Sequence, residues 1–310
     1  MSAVTTAPRP RDKGRSLAQD ALVRFFRNPT GLIGLTIITF FIVISLLAPL
    51  LSPYDAQRDR NLLLRLTPPS WTMSEAERER HGLQTWSTPF GTDELGRNLL
   101  TRVWHGGRIS LRVGLVAVAV AVTIGTLLGL LAGYLGGWVD TVTVWLVDIL
   151  LAFPGILLAI AIVATLGPSL TNALIAISIT QIPVYVRITR AVVLGLRESE
   201  YVQAARALGS GSPRIVFAHI LPNSLSPLIV QLTLSIGVAI LDVAALGFLG
   251  LGAQPPNPEW GIMIRDGYRQ FLRAPWMSIF PGLAIFFAVV GFNLLGDAIR
   301  DVLDPRLKNV

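Results

Sequence analysis

Six stretches of this 310-residue chain run for about twenty residues almost without charge, and this narrows its possible folds more than any other feature. They cover residues 31–51, 110–133, 141–166, 168–186, 227–250 and 277–295, with Pro154 inside the third and Pro183 inside the fourth. A hydrocarbon core of ~30 Å takes roughly 20 helical residues to cross and offers no partner to a free backbone N–H or C=O. Only helices and closed barrels satisfy that demand, and long continuous apolar runs mean helices. Hydrophobic residues make up 52% of the chain and charged residues 15%, below the roughly 25% with which a soluble domain covers its surface. The expected fold class is an all-α membrane protein with about six transmembrane helices.

The residue inventory excludes several chemistries. There is no cysteine, hence no disulfide, no thiolate metal site and no cysteine nucleophile. No Gly-Lys pair occurs, so the chain has no phosphate loop for ATP. His81, His105 and His219 are scattered, without the spacing that holds zinc, and no metal site is expected. No G-x-S-x-G elbow occurs, so no catalytic residue is expected and the chain reads as a non-enzyme. A net charge of +7 raises the question of nucleic acid, but the basic residues flank apolar runs and form no single stripe. Lipid, not nucleic acid, is the expected partner. No apolar run followed by a small-residue cleavage site precedes residue 30, so no removable signal peptide is expected.

Charge placement sets the expected orientation. Arg9, Arg11, Lys13, Arg15, Arg24 and Arg27 precede the first run, and Arg300, Arg306 and Lys308 close the chain. Arg187, Arg190, Arg197, Arg206 and Arg214 lie between the fourth and fifth runs. Six crossings put these three segments on one side, which the positive-inside rule makes cytoplasmic. Residues 53–109, expected outside, carry eight arginines nearly balanced by seven acids. Residues 16–27 place Leu17, Ala21 and Phe25 on one face, beside Leu22 and Phe26, with Arg24 and Arg27 at its polar edge. That suits a short helix in the inner interface; a tail running into the first span is the alternative. Gly125, Gly129 and Gly133 share one helical face, which either admits a neighbouring helix closely or reflects the frequency of glycine in membrane helices.

A carboxylate near mid-bilayer costs roughly 2.5–3.5 kcal/mol, so a polar residue inside a span faces a wet cavity or a partner. Asp148, Gln181, Gln231, Asp242 and Asn293 are the visible cases. Either they line a hydrophilic path, or they bridge helices by hydrogen bonds. Between the fourth and fifth runs, residues 198–208 read as a helix with Tyr201, Ala204, Ala205 and Leu208 at 3–4 spacing. Gly209-Ser210-Gly211-Ser212-Pro213 breaks it, with Ser212-Pro213 supplying the cap and first turn of the next helix. Residues 215–221 form that second short helix, expected to stop at Pro222. Such an elbow either sits in a groove of another protein and transmits movement, or is an ordinary loop.

This segment resembles the EAA loop of ABC transporter permeases, through Gln203-Ala204-Ala205, Gly209 and Ile220-Leu221-Pro222. Gln203 stands where that pattern usually has Glu, which leaves a hydrogen bond in place of an ion pair. Other motifs resemble the dipeptide/oligopeptide permeases of the DppC/OppC type. Among them are Asn28-Pro29, Gly31-Leu32 and Gly34, then Ala48-Pro49 and Ser52-Pro53-Tyr54. Pro89-Phe90-Gly91-Thr92-Asp93-Glu94-Leu95-Gly96-Arg97 and Gly107-Arg108-Ile109-Ser110-Leu111 match ahead of the second span. Asp148-Ile149-Leu150-Leu151-Ala152-Phe153-Pro154 matches in the third, and Leu246-Gly247-Phe248-Leu249-Gly250-Leu251-Gly252 in the fifth. Pro256, Pro258 and Trp260-Gly261 match at its exit, and Leu295-Gly296-Asp297-Ala298, Arg300-Asp301, Leu303-Asp304-Pro305-Arg306 at the C-terminus.

The resemblance implies a type I ABC importer permease fold with a cytoplasmic coupling loop at residues 197–223. It divides the chain into a cytoplasmic tail with an interfacial helix (1–30), a first transmembrane helix (31–52), an extracytoplasmic loop (53–109), a five-helix core (110–299) and a cytoplasmic tail (300–310). It further implies a second homologous permease subunit, two cytoplasmic ABC ATPase subunits that bind ATP and Mg, and an extracytoplasmic solute-binding protein, in a bacterial inner membrane. This chain itself binds no cofactor in that scheme. Ser199, Glu200, Gln203, Ala204, Ala205, Gly209, Ser210, Ser212, Pro213 and His219 would receive the ATPase motion. Residues 53–109 and 253–276 would shape the docking surface for the binding protein, with a purely structural cap as the alternative for the first. Peptides are the expected cargo, with nickel chelates, glutathione or oligosaccharides as alternatives. Two readings of other classes stay open: a partner-free secondary transporter, which calls for repeated halves or ionisable relays, and a structural membrane subunit without a path.

Overall fold

The computed structural model describes residues 17–55 and 58–303, and it is helical wherever the sequence is apolar for long. Helix α1 spans Leu17–Arg27, α2 Pro29–Leu51, α3 Glu75–His81 and α4 Leu99–Leu135. Helix α5 spans Gly137–Leu151, α6 Gly155–Leu166, α7 Leu170–Leu196 and α8 Glu200–Ala207. Then come α9 (Ser212–Arg214), a π-helical segment Ile215–Ile220, α10 (Leu221–Phe248), α11 (Trp260–Arg269) and α12 (Trp276–Leu303). No strand forms among the described residues; Thr92 and Asn98 make one isolated bridge. The basic residues Arg9, Arg11, Lys13, Arg15, Arg306 and Lys308, and the motif residues Asp304 and Pro305, lie outside the described residues.

The apolar runs mark the helices but understate them. Helix α4 begins at Leu99, eleven residues before the uncharged stretch, capped by Asn98, whose Oδ1 accepts from Leu100 N at 3.0 Å. Helix α7 continues to Leu196, so Arg187 and Arg190, read as loop, are helical. Pro183 does not break α7, because its neighbours Gln181 and Tyr185 are buried and the segment is held against α4. The third run behaves differently. Pro154 has no N–H to continue the helix and disfavours α geometry at Phe153, and α5 and α6 meet there at 89°. The run read as one span is a broken one.

The glycine face of α4 settles what surrounds that break. A Cβ on Gly125 would stand 2.5 Å from the Tyr185 Cβ, one on Gly129 2.6 Å from the Thr189 Cβ, and one on Gly133 2.8 Å from the Val193 Cβ. All three approaches are closer than real carbon atoms come, so the face exists for contact with α7. The pairing rises together in both helices, so α4 and α7 run parallel. Two parallel neighbours need one return crossing between them, and α5 with α6 is that crossing. With that pair counted as one span, the described residues hold up to six helices long and apolar enough to cross. At one end of the bundle lie α1, the end of α4, the α8 elbow and the end of α12, with Gly31 of α2 against Ala298 of α12.

Residues 58–98 fold over the opposite end and are tied down through Asp93. Its buried carboxylate accepts from Leu95 N (2.8 Å), Arg97 N (2.9 Å), Arg97 Nε (2.7 Å) and Arg102 Nη1 (2.6 Å). Replacing Gly129 with leucine should destabilise the folded chain by about 1–3 kcal/mol, the usual result of overpacking. A lower melting temperature of the detergent-purified complex would show it; an unchanged one would mean that α4 and α7 are not in contact.

Candidate functional site at the elbow between α7 and α10

The elbow is built by helix-end chemistry. At the end of α8, Gly209 adopts φ +81°, Ser210 N donates to Ala205 O and Gly209 N to Arg206 O, both at 3.0 Å. This bond pair closes a helix and requires the left-handed conformation that glycine enters freely. Gly211, not Ser212, takes the cap position of the next helix; Ser212 and Pro213 are its first residues. That helix does not stop at Pro222. It widens into the π-helical turn Ile215–Ile220 and runs on, so Ser212–Phe248 forms one 37-residue helix. The wider turn lets Leu221 N reach Val216 O, and Pro222 falls in the first turn of the renewed α-helix, where its missing N–H is tolerated.

The elbow stands on the bundle through a small core of its own. Val202 of α8 and Ile215 and Ile220 of the π turn pack with Leu130 of α4 and Val193 of α7, all buried. Arg197 Nη1 adds a 3.2 Å bond to Gly133 O at the end of α4, where a cation also suits the helix dipole. The outward side is apolar at its tip. Leu208 is 86% exposed, and Tyr201 and Phe217 are exposed beside the basic Arg206 and Arg214. Aromatic and aliphatic anchors flanked by arginine are the composition of protein interfaces.

Of the ten residues expected here, Glu200, Gln203, Ala204, Gly209, Ser212 and Pro213 are exposed. Ser199, Ala205, Ser210 and His219 are half-buried. Gln203 Nε2 donates 3.0 Å to Glu198 O, so this amide is engaged within the elbow itself. Sequence reasoning missed Tyr201 and Phe217 as surface anchors.

The five polar residues of the spans lie on α5, α7, α10 and α12. Asp148 on α5 accepts from Arg187 Nη2 on α7 at 2.7 Å. One level toward the elbow end, Asp140 takes both Nε and Nη2 of Arg190, a bidentate pair. Gln181 is buried on α7, and Gln231 Nε2 donates to Ser235 Oγ at 3.1 Å. Asp242 is half-buried on α10, and Asn293 is exposed on α12 beside Gly237. Arg187 and Arg190 were the missed partners: two acids on α5 and two arginines on α7 were visible as composition, but their pairing needs the tertiary contact. Glu259 was missed as well. Wholly buried at the start of α11, it accepts from Gly261 N (2.7 Å), Ile262 N (3.0 Å) and Ser110 Oγ (3.2 Å), tying α11 to α4. Burial pushes its carboxyl above the ordinary range while these bonds pull the other way. Among the described residues no cluster of His, Asp and Glu is arranged for a metal.

Comparison with known proteins meets this geometry at several points. The family model "Binding-protein-dependent transport system inner membrane component" matches residues 125–309, and "N-terminal TM domain of oligopeptide transport permease C" matches residues 16–69. The chain is 48% identical to the dipeptide transport system permease protein DppC of Alkalihalophilus pseudofirmus, over 100% of this chain and 97% of that one. It is likewise 48% identical to DppC of Escherichia coli K12, over 92% and 91%. It is 43% identical to the glutathione transport system permease protein GsiD of Salmonella typhimurium, over 92% and 89%. Among solved structures, a chain of the MetNI methionine ABC transporter in an inward-facing conformation aligns with TM-score 0.53 at 19% identity, over 66% of this chain and 96% of that one. That likeness shows the fold, a type I ABC importer permease.

Two substitutions check the ion-pair geometry. Asp140→Asn should lower stability by about 1–2 kcal/mol, since it breaks a charge-assisted bidentate contact. Asp148→Asn should fall within about 1 kcal/mol of the original, because both side chains of its pair are more than half exposed on the chain. Thermal unfolding of the two purified variants gives the ranking, and the reverse order would contradict it.

Proposed function

Because this chain belongs to the family of binding-protein-dependent transport system inner membrane components, we propose that it is the permease subunit of an ATP-driven importer for di- or oligopeptides. The observation that carries this reading is the elbow, an exposed apolar tip on a footing rooted in α4 and α7. A chain without a phosphate loop needs another subunit to supply the work, and the elbow is the surface built to receive it. In this reading two ABC ATPase subunits, which bind ATP and Mg, hold the elbow at Tyr201, Leu208 and Phe217. Glu200, Gln203 and Ala204 lie on the contacting surface, and Gly209, Ser210, Ser212 and Pro213 fix its shape. Ser199, Ala205 and His219 support it from the half-buried side.

Closure of the ATPase pair moves the elbow as a rigid body. Val202, Ile215 and Ile220 pass that motion to Leu130 and Val193, hence to α4, α7 and α10 together. ATP shifts the bundle between two arrangements only through such differential contacts. The protein is a multi-pass inner-membrane component. The elbow end, with the basic flanks Arg24, Arg27, Arg206, Arg214 and Arg300, faces the cytoplasm in the proposal. Helix α1, with Arg24 and Arg27 exposed, lies in the inner interface.

The Asp148–Arg187 pair supports an aqueous path beside α5 and α7. Its side chains remain 54% and 60% exposed, and a face carrying an open ion pair is poorly suited to lipid. We assign that face, with Gln181 on α7, Gln231 and Asp242 on α10 and Asn293 on α12, to the path or to the contact with a second, homologous permease. Residues 53–98 and α11 form the surface for the solute-binding protein. The two relatives at 48% identity, both named for dipeptide transport, favour peptides over nickel chelates and oligosaccharides.

Gly209→Val tests the coupling role. A β-branched residue strains the left-handed turn by about 1–2 kcal/mol and reshapes the elbow. Peptide-stimulated ATP hydrolysis and dipeptide uptake by the reconstituted complex should fall together, while basal hydrolysis by the ATPase subunits persists. Full coupling in this variant would overturn the assignment.

A further inference from the structure

The elbow and the ion pairs leave one charged feature without a role. Arg108 and Arg112, one turn apart on α4, are both exposed and form no hydrogen bond or ion pair among the described residues. They line a cleft of about 940 Å³ between α2, α4 and the start of α7, roofed by Pro256, Asn257 and Pro258. No carboxylate lines it. Two guanidinium groups sharing an apolar cleft without a counter-charge call for an anion from outside the chain.

Their depth and surroundings identify the class of anion. Residues 113–135 of α4 carry no charge, and these 23 residues span about 34 Å, enough to cross a ~30 Å hydrocarbon core. The two arginines therefore sit at the boundary of that core, at the end of the bundle away from the elbow. Directly below them the cleft is walled by Ile42, Leu46, Leu115, Val116 and Leu174. The site thus pairs two cations with apolar walls on the side of the hydrocarbon core. A peptide brings an ammonium as well as a carboxylate, and no acid in the cleft answers the ammonium; the same holds for an ethanolamine headgroup.

We propose that Arg108 and Arg112 hold the phosphate of an anionic phospholipid, of the phosphatidylglycerol class, with an acyl chain lying along Leu115, Val116 and Leu174. In the orientation proposed above, this lipid belongs to the outer leaflet. The site rests on the membrane reading alone and is independent of the cargo and of the ATPase contact. A lipid wedged between α2, α4 and α7 at this level would brace the end of the bundle opposite the driven elbow.

The test is native mass spectrometry of the intact importer complex, titrated with phosphatidylglycerol or phosphatidylethanolamine in detergent. The original complex should retain phosphatidylglycerol in preference to phosphatidylethanolamine. The single variants Arg108→Gln and Arg112→Gln should each weaken that retention roughly fivefold, and the double variant about 25-fold. Arg108→Lys with Arg112→Lys should keep most of it. Equal retention of both lipids, or an unchanged double variant, overturns the proposal. Displacement of bound phosphatidylglycerol by a dipeptide would assign the arginines to cargo instead. Loss of the neighbouring permease from the Gln variants would assign them to a protein contact, and either outcome overturns the lipid site.

Discussion

Backbone against backbone, α4 and α7 can approach this closely only because Gly125, Gly129 and Gly133 present no side chain. In lipid there is little hydrophobic drive to bring helices together, so such packing has to come from fit. Three architectural features depend on this one contact. The two helices are parallel, so the intervening chain must return across the membrane, and it does so through the pair bent at Pro154. Their shared lower end supplies Leu130 and Val193, the footing for the elbow. Their shared upper end flanks the cleft that holds Arg108 and Arg112. A displacement of one helix along the other would disturb the elbow core and the cleft together.

The charged groups are sorted by how far they are withdrawn from water. Asp93 is buried with two arginines and two backbone N–H groups, and its work is to hold the fold over one end of the bundle. Glu259 is buried as a helix cap and fastens α11 to α4. Asp140 is partly buried and bidentate with Arg190, whereas Asp148 is open with Arg187. Burial thus separates these structural carboxylates from the exposed Asp148–Arg187 pair. The exposed apolar groups follow the same logic in reverse, for Leu208, Tyr201 and Phe217 are left uncovered at the elbow while the residues beneath them are sealed.

Much of this was legible in the chain before folding. The apolar runs announced the helices, because lipid leaves a backbone no other choice, and the Gly209 turn could be read from its glycine and the serine-proline pair that follows. The glycine face of α4 was visible as spacing, though its partner was not. What escaped depended on tertiary neighbours. Pro154 breaks its helix and Pro183 does not, because α7 is clamped along α4 and the α5–α6 junction is not. Pro222 was read as a stop, yet the π turn before it moves the proline to a position where its missing N–H is harmless. Arg187 and Arg190 looked like a loop flank because charges usually end a span; α5 places acids opposite them. Glu259 carried no periodic signal at all, since a buried cap is defined by the groups that surround it.

In the proposed function, the tip of the elbow touches a nucleotide-driven partner on the inner side of the membrane. The chain has no cysteine, so Leu208→Cys introduces a single reactive thiol at the most exposed large apolar residue of the elbow. Cross-linking from that thiol in the assembled importer, together with labelling of intact cells by a membrane-impermeant maleimide, locates it directly. The expected result is a cross-link to an ATPase subunit and no labelling until the membrane is opened. Labelling in intact cells, or a thiol that reaches only lipid in the assembled complex, would contradict it.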